Sequence, residues 1–279
     1  MSFAALLETL NSVIWSPALV FLCLAVGVYF TLTTLFLQVR CLPDMMRQIV
    51  SNKKSGSGVS SFESLMISLA GRVGVGNIAG VATAIAFGGP GAVFWMWAVA
   101  LLGSATSFIE CTLAQIYKEK DRDTGEYRGG PAYYIEKAYK HTRAGKFMLV
   151  YAVVFAVAMM LATSYFLPGI QANGVAAAMY NAWGTDVRIS AVVLGILLAV
   201  IIMGGVRRIA NFASLVVPLM AVVYILASIV IMFVNFDRID DVFSLIFRSA
   251  FDQEAMFSGM LGAAIMWGVK RGIYSNEAG

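Results

Sequence analysis

Long apolar runs alternate with short polar loops along the whole chain. Because about 20 apolar residues suffice to cross the hydrocarbon core of a bilayer as a helix, we expect each run to be a transmembrane helix. Transmembrane strands would instead alternate apolar and polar residues over short segments. The pattern therefore predicts an all-α integral membrane protein. The predicted spans are residues 15–38, 62–87, 91–117, 147–180, 188–204, 210–234 and 255–279.

Two segments depart from this simple pattern. The fourth run is too long for a straight crossing, and Pro168-Gly169 within it predicts a kink or a break in the helix. Residues 238–252 alternate apolar and polar side chains between two of the spans. This alternation predicts an amphipathic helix that lies in the membrane interface.

The composition agrees with a membrane protein. The chain has 279 residues, of which 59% are hydrophobic and 13% charged, and its mean hydropathy is +0.79. A soluble domain of this length would need more charge to cover its surface. Cys23, Cys41 and Cys111 have no paired spacing, so they predict neither a disulfide framework nor a metal site. The one histidine, His141, lies in a basic loop, and no nucleophile is paired with a base, so we do not expect an enzyme.

The basic residues concentrate on one side of the predicted spans. Residues 39–61 and 118–146, with Arg207 and Arg208, carry most of the 20 Lys and Arg, whereas residues 235–254 are rich in Asp and Glu. The positive-inside rule then makes loops 39–61 and 118–146 cytoplasmic and the N-terminus external. The pI of 9.0 is thus explained by topology, and it gives no support for nucleic-acid binding.

Two predicted spans contain related motifs. Residues 72–80 read RVGVGNIAG and residues 271–279 read RGIYSNEAG, here called the first and second motif, and they share the pattern R-x-x-x-[GS]-N-x-A-G. Under the predicted topology the two spans run in opposite directions. This is the arrangement of an inverted repeat of five helices. It divides the chain into an N-terminal extra helix with its cytoplasmic loop (1–61), a first repeat (62–234), and an external amphipathic segment with the start of a second repeat (235–279).

The glycines in the first motif, and Gly71 directly before it, predict a break in the second span. Gly71, Gly74, Gly76 and Gly80 each disfavour helix by about 1 kcal/mol relative to alanine. Unwinding frees carbonyl groups that bind a cation, and the amides of the following half-helix suit a carboxylate. Free carbonyl groups next to free amides fit a zwitterionic amino acid together with a sodium ion. The alternative is that Gly76-x-x-x-Gly80 simply lets two helices pack closely, which leaves the intramembrane Arg72 unexplained.

The candidate site residues lie in the two motifs and after Pro168. Gln171 and Asn173 are candidates for the transport pathway, although capping of the broken helix explains them equally well. Glu277 is a cation ligand or a lock for Arg72, and Glu110 is either part of a structural ion pair or a participant in transport. Ile78 and Glu277 are the candidates for cation binding or coupling. The candidates for substrate binding are Gly74, Val75, Gly76, Asn77, Gln171, Ser275 and Asn276.

These motifs, together with residues 129–134 (GGPAYY), resemble those of the alanine or glycine:cation symporter family, the sodium:alanine symporters. The resemblance extends from near Trp15 to the last residue. It implies a multi-pass plasma-membrane carrier with the leucine-transporter-like fold of two inverted five-helix repeats, with the second and seventh spans as discontinuous helices beside the substrate. It also implies alanine or glycine as substrate, sodium as coupling ion, the lipid bilayer as surroundings and no other cofactor.

The chain departs from this family at its end. The family continues well past the second motif, whereas this chain stops at Gly279. We therefore expect a fragment, or a truncated and inactive product, in which the first repeat is complete and the second is cut off in its first helix. Two alternatives stay open, a proton-coupled amino-acid carrier and a non-transporting truncated membrane protein. The sequence does not rank alanine against glycine.

Overall fold

The computed structural model describes residues 3–51, 60–123, 125, 127–251 and 260–276, and it is almost entirely helical there. A short antiparallel ribbon pairs β1 (Glu119–Lys120) with β2 (Tyr127–Arg128). The α-helices are α1 (Phe3–Ile14), α2 (Pro17–Thr33), α3 (Leu37–Arg40), α4 (Leu42–Ser51), α5 (Ser61–Arg72), α6 (Val75–Gly88), α7 (Gly91–Tyr117), α8 (Pro131–Tyr139), α9 (Gly145–Leu161), α10 (Leu167–Trp183), α11 (Val187–Ile202), α12 (Gly205–Val234), α13 (Ile239–Phe251) and α14 (Met260–Asn276).

Within these described residues, five helical segments are long and apolar enough to cross a membrane. α11 is apolar but shorter, at 16 residues, and α14 has 17 residues, so the last predicted span is described only in part. The prediction of an all-α membrane protein is confirmed. The five segments are Glu8–Thr33, Ser61–Gly88, Gly91–Tyr117, Gly145–Trp183 and Gly205–Val234.

The fourth of these segments does not break at Pro168. α9 continues through a π-helical turn, Ala162–Phe166, directly into α10, in which Pro168 is the second residue. Proline lacks an N–H and crowds the carbonyl of the preceding turn, and a π-helical turn directly upstream changes the hydrogen-bond register at that point. Of the kink or break predicted there, the break was therefore wrong, whereas the kink stays a prediction. The local irregularity is a π turn inside a continuous helix.

The alternating segment before the last span is helical. A 3₁₀ turn, Phe236–Arg238, leads into α13, which has Asp240 and Asp241 in its first turn and buries Ile246. The prediction of an amphipathic helix is confirmed. Its position in the membrane interface stays a prediction.

The described residues form two compact units. The first combines residues from 3–43, 76–109 and 224–276. In it, Val20 of α2, Val99 of α7 and Val269 of α14 form one buried cluster. Gly272 lets α14 approach α7, since a Cβ there would lie 2.9 Å from the Cβ of Val99. A close helix contact built on small residues is typical of membrane proteins.

The second unit combines residues from 44–75 and 110–223. Met66 of α5 packs with Ala213 and Val217 of α12 in its buried cluster. Many large apolar side chains of this unit remain exposed, for example Val193 at 59% and Leu215 at 75%. In water such surfaces would be costly, whereas in a bilayer they face lipid tails.

Candidate functional site

The helix of the second span is interrupted at the first motif. α5 ends at Arg72, Val73 has φ −108° and ψ 74°, and α6 begins at Val75. The N–H of Val73 still donates to the carbonyl of Leu69 at 2.9 Å, so the helical hydrogen bonding stops immediately after it. The break predicted from the clustered glycines is confirmed, and it is confined to Val73 and Gly74.

In the second unit, α10 closes over this break. The N–H of Val75 donates to the side-chain Oε1 of Gln171 at 3.0 Å, which satisfies an amide that a helix start leaves without an internal acceptor. A Cβ on Gly74 would lie 3.0 Å from Nε2 of the same Gln171. One turn further along α10, a Cβ on Gly174 would lie 2.5 Å from the Val75 side chain. Gln171 therefore caps α6, and small residues bring α10 close to the break.

In the first unit, α6 packs against α14 through the glycines of the first motif. A Cβ on Gly76 would overlap the ring of Tyr274, at 2.9 Å from Cδ1 and closer still to Cε1. A Cβ on Gly80 would lie at an ordinary 3.8 Å from Cδ of Arg271. The close-packing interpretation of Gly76-x-x-x-Gly80 therefore holds at Gly76, whereas Gly80 has room for a Cβ. The first motif thus contains both the break at its start and one glycine that lets α6 pack closely on α14.

The second motif differs from the first. α14 stays helical through Asn276, so the predicted discontinuity is not present in residues 271–276. Gly272 and Ile273 occupy the positions that correspond to Val73 and Gly74. They remain in the helix, where Gly272 packs against Val99 and lies near the Cα of Met96. The physical reason is that Gly272 allows close contact between α14 and α7 while the helix continues. At Gly74, in contrast, the side chain of Gln171 accepts the hydrogen bond of the next amide, that of Val75, in place of a helical carbonyl.

The predicted site residues fall into separate groups. Gly74, Val75 and Gln171 come together in the second unit. In the first unit, Asn77 is half-buried, whereas Ile78 is 48% exposed. Because the side chain of Ile78 is a hydrocarbon, only its backbone carbonyl is suited to hold a cation.

The candidates on α14 are described less completely. The Oγ of Ser275 is buried and has no hydrogen-bond partner within the part of the chain that the structure describes. Asn276 is the last residue of the helix. Glu277, the candidate for cation coupling, lies outside the described residues.

Sequence reasoning missed Tyr274. Its hydroxyl is buried and, like that of Ser275, makes no hydrogen bond in the described ranges. The signal that could have found it is its place directly before Ser275, which the motif did mark as a candidate. Two turns earlier, the Trp267 ring stacks on Phe87 at 4.9 Å, and the Arg271 guanidinium lies 5.8 Å from the centre of the same ring.

Glu110 has a neutral partner in the second unit. The hydroxyl of Tyr134 on α8 approaches a Glu110 carboxylate oxygen at 3.5 Å, a long distance for such a bond. Burial and the nearby Glu110 charge raise the pKa of Tyr134 to about 12. The contact is therefore a phenol–carboxylate pair, and it differs from the ion pair that was one of the two expectations for Glu110.

Lys137 fixes the same helix to the end of α7. Its Nζ donates to the carbonyl of Tyr117 at 2.6 Å and forms an ion pair with Glu119 at 2.8 Å. The hydrogen bond from Lys137 and its charge lower the pKa of the exposed Glu119. A lysine at the C-terminus of a helix is favourable because it satisfies a carbonyl and complements the helix dipole.

Comparison with known proteins extends these observations. Residues 1–279 match the model of the sodium:alanine symporter family. The chain is 52% identical to YrbD of Bacillus subtilis strain 168, provisionally named a sodium/proton-dependent alanine carrier, over 99% of the chain and 55% of YrbD. It is 44% identical to GlnT of the same strain, provisionally named a sodium/glutamine symporter, over 96% of the chain and 55% of GlnT.

An archaeal relative is also similar. The chain is 43% identical to the sodium/alanine symporter AgcS of Methanococcus maripaludis, over 100% of the chain and 61% of AgcS. The chain thus spans little more than half the length of these relatives.

Proposed function

This chain belongs to the sodium:alanine symporter family, and we propose that it forms part of a carrier that couples the uptake of alanine or glycine to sodium. Two of the relatives described above carry alanine in their names and one carries glutamine. Because the chain spans little more than half of their length, the activity is proposed for the whole carrier to which it belongs. The bilayer around it is the plasma membrane, and the protein crosses it several times.

The break at Val73–Gly74 is the observation that carries this proposal. It interrupts Ser61–Gly88, an otherwise apolar segment of 28 residues. Inside a membrane, irregular backbone is tolerated only where it is buried in protein or lines a water-filled cavity. Its carbonyl groups suit a sodium ion, and the amides of Gly76 and Asn77, which follow the Val75 amide capped by Gln171, suit the carboxylate of an amino acid. We assign the substrate to this backbone, with Gly74, Val75, Gly76, Asn77, Gln171, Ser275 and Asn276 as candidates and Ile78 and Glu277 for the cation.

The proposed architecture follows the same family. We propose the leucine-transporter-like fold, with 1–61 as an additional helix and loop, 62–234 as the first repeat and 235–279 as the start of the second. The N-terminus is external, and loops 39–61 and 118–146 are cytoplasmic, because the basic residues concentrate there. Alternating access in such folds is a movement of repeats around a fixed central site.

Transport into proteoliposomes tests the activity. Labelled alanine and glycine are offered to the reconstituted whole carrier to which this chain belongs, under an inward sodium gradient, under equal sodium on both sides, and under a proton gradient without sodium. We expect accumulation with the sodium gradient alone. Accumulation driven by protons without sodium would replace sodium by the proton as coupling ion, and an absence of accumulation under every gradient would contradict the proposal.

A pair of matched variants locates the substrate. Asn77→Leu in the first motif is expected to abolish uptake, while Asn181→Leu, the same substitution at an exposed position of α10, leaves it unchanged. Both variants are checked for membrane insertion. Normal uptake by an inserted Asn77→Leu variant would show that this part of α6 only packs helices.

A further inference from the structure

Tyr274 covers the backbone of α6 beside the break. Gly76 is the second residue of α6, and the Tyr274 ring lies so close to its Cα that even a methyl group would overlap Cε1 and approach Cδ1 to 2.9 Å. Glycine at position 76 therefore lets an aromatic ring lie directly against the helix start. Both residues belong to the same compact unit.

Packing explains the ring but does not explain the hydroxyl. The Tyr274 hydroxyl is buried, and it has no hydrogen-bond partner among the residues that the structure describes. Buried hydroxyls are nearly always hydrogen-bonded, because leaving one without a partner costs free energy. Phenylalanine would cover Gly76 equally well without that cost. A hydroxyl retained in such a place is suited to a partner that arrives from outside the protein.

We propose that Tyr274 determines specificity in the amino-acid site, an inference that rests on the proposed function. An amino acid whose carboxylate is held by the amides of Gly76 and Asn77 has its α-carbon close to Gly76, and the ring of Tyr274 bounds the space for its side chain. The hydroxyl hydrogen-bonds to the bound amino acid. The ligand class is a small neutral amino acid, and the ring excludes the longer side chains of leucine and glutamine.

Two substitutions separate the contributions of the hydroxyl and the ring. Tyr274→Phe removes only the hydroxyl, so the concentration of alanine that gives half-maximal uptake should rise about fivefold, the usual effect of one lost hydrogen bond. Size selectivity should persist in this variant. Tyr274→Ala opens the space beside Gly76, so uptake of leucine or glutamine relative to alanine should rise at least about tenfold.

The measurements are uptake of labelled alanine, leucine and glutamine by the reconstituted whole carrier under an inward sodium gradient. Correct folding is checked by size-exclusion chromatography in detergent, and Tyr274→Leu is the second truncation if Tyr274→Ala folds poorly. A ring that only packed α6 on α14 would alter stability without altering the ratio of leucine to alanine uptake. The ratio therefore distinguishes a contact with substrate from a structural role.

The possible results separate this inference from the proposed function. Unchanged half-saturation in Tyr274→Phe would remove the hydroxyl from the site, and unchanged selectivity in the truncated variant would remove the ring. Either result, in a protein whose wild type transports alanine with sodium, overturns the inference alone. A wild type without any amino-acid uptake overturns the proposed function and the inference with it.

Discussion

The two motifs share a sequence pattern but differ in backbone structure. Residues 72–80 interrupt a helix at Val73–Gly74, whereas residues 271–276 lie in one continuous helix, α14. Where the first motif has Gly74, the second has Ile273, and Gly272 packs close to Val99. A shared arginine and asparagine therefore do not decide whether the helix breaks. The surroundings of the glycines decide it.

The hydrogen bonds explain how the first motif tolerates its break. Interrupting a helix leaves amides without acceptors, and an unsatisfied group in lipid costs several kcal/mol. In the first motif, Gln171 supplies an acceptor to the N–H of Val75 at 3.0 Å. In the described part of the second motif, the helix satisfies its own backbone. A broken helix in a membrane thus requires both glycines that permit it and a side chain that caps it.

The largest expected effect concerns the direction of the two motifs. If they are inverted copies, the segments that precede them, residues 39–61 and 235–254, lie on opposite sides of the membrane, and loop 118–146 lies on the same side as 39–61. In a variant with Cys23, Cys41 and Cys111 replaced by serine, a cysteine at Arg128 should react with an impermeant thiol reagent only after the membrane is opened. A cysteine at Asp237 should react in intact cells. Labelling of both from outside would show that the predicted orientation is wrong, and the inverted repeat would fail with it.

The next effect concerns the glycines that pack α6. Gly76→Ala should lower the free energy of unfolding by about 1–3 kcal/mol and strongly reduce uptake, because the new Cβ overlaps Tyr274. Gly80→Ala is the matched control, since its Cβ would lie at an ordinary 3.8 Å from Arg271. Stability is measured as Tm in detergent. The double variant Gly76→Ala/Tyr274→Ala should recover most of the lost Tm, and a double variant as unstable as Gly76→Ala alone would refute the overlap.

The third effect tests the cap of the broken helix. Gln171→Leu removes the acceptor of the Val75 N–H and should cost about 1–3 kcal/mol of stability. Gln171→Glu keeps a side-chain oxygen there and should retain most of that stability. Its negative charge should nevertheless weaken the uptake of a substrate that carries a carboxylate. Equal Tm values for the two variants would show that the hydrogen bond contributes little to the break.

The sequence was sufficient for features that depend on local composition. Apolar runs predicted the five helical segments that are long enough to cross a membrane, and clustered glycines predicted the break at Val73–Gly74. The other two predicted spans correspond to helices of 16 and 17 described residues. It was insufficient where the outcome depends on a neighbouring helix. The π turn before Pro168, the Gln171 cap and the ring of Tyr274 over Gly76 all arise from contacts, or from a hydrogen-bond register, that one-dimensional patterns do not contain.

The smallest effect tests why the described part of the second motif, residues 271–276, remains helical. Replacing Gly272 by alanine should favour the helix by up to about 1 kcal/mol, because alanine is the better helix former. The new Cβ, however, would lie 2.9 Å from the Cβ of Val99 and 3.1 Å from its Cγ1, and overpacking of this kind costs about 1–3 kcal/mol. The net result should therefore be a modest loss of stability.

Gly262→Ala, near the start of the same helix, is the matched control, because a Cβ there would have no described atom within 4 Å. It gains the helix preference without the overlap, so its Tm in detergent should stay equal to that of the wild type or rise, while the Tm of Gly272→Ala falls. If Gly272→Ala instead proves as stable as Gly262→Ala, the contact with Val99 does not require glycine. The continuity of residues 271–276 would then rest on helix preference at Ile273 alone, and packing would no longer explain why the first motif breaks whereas the described part of the second does not.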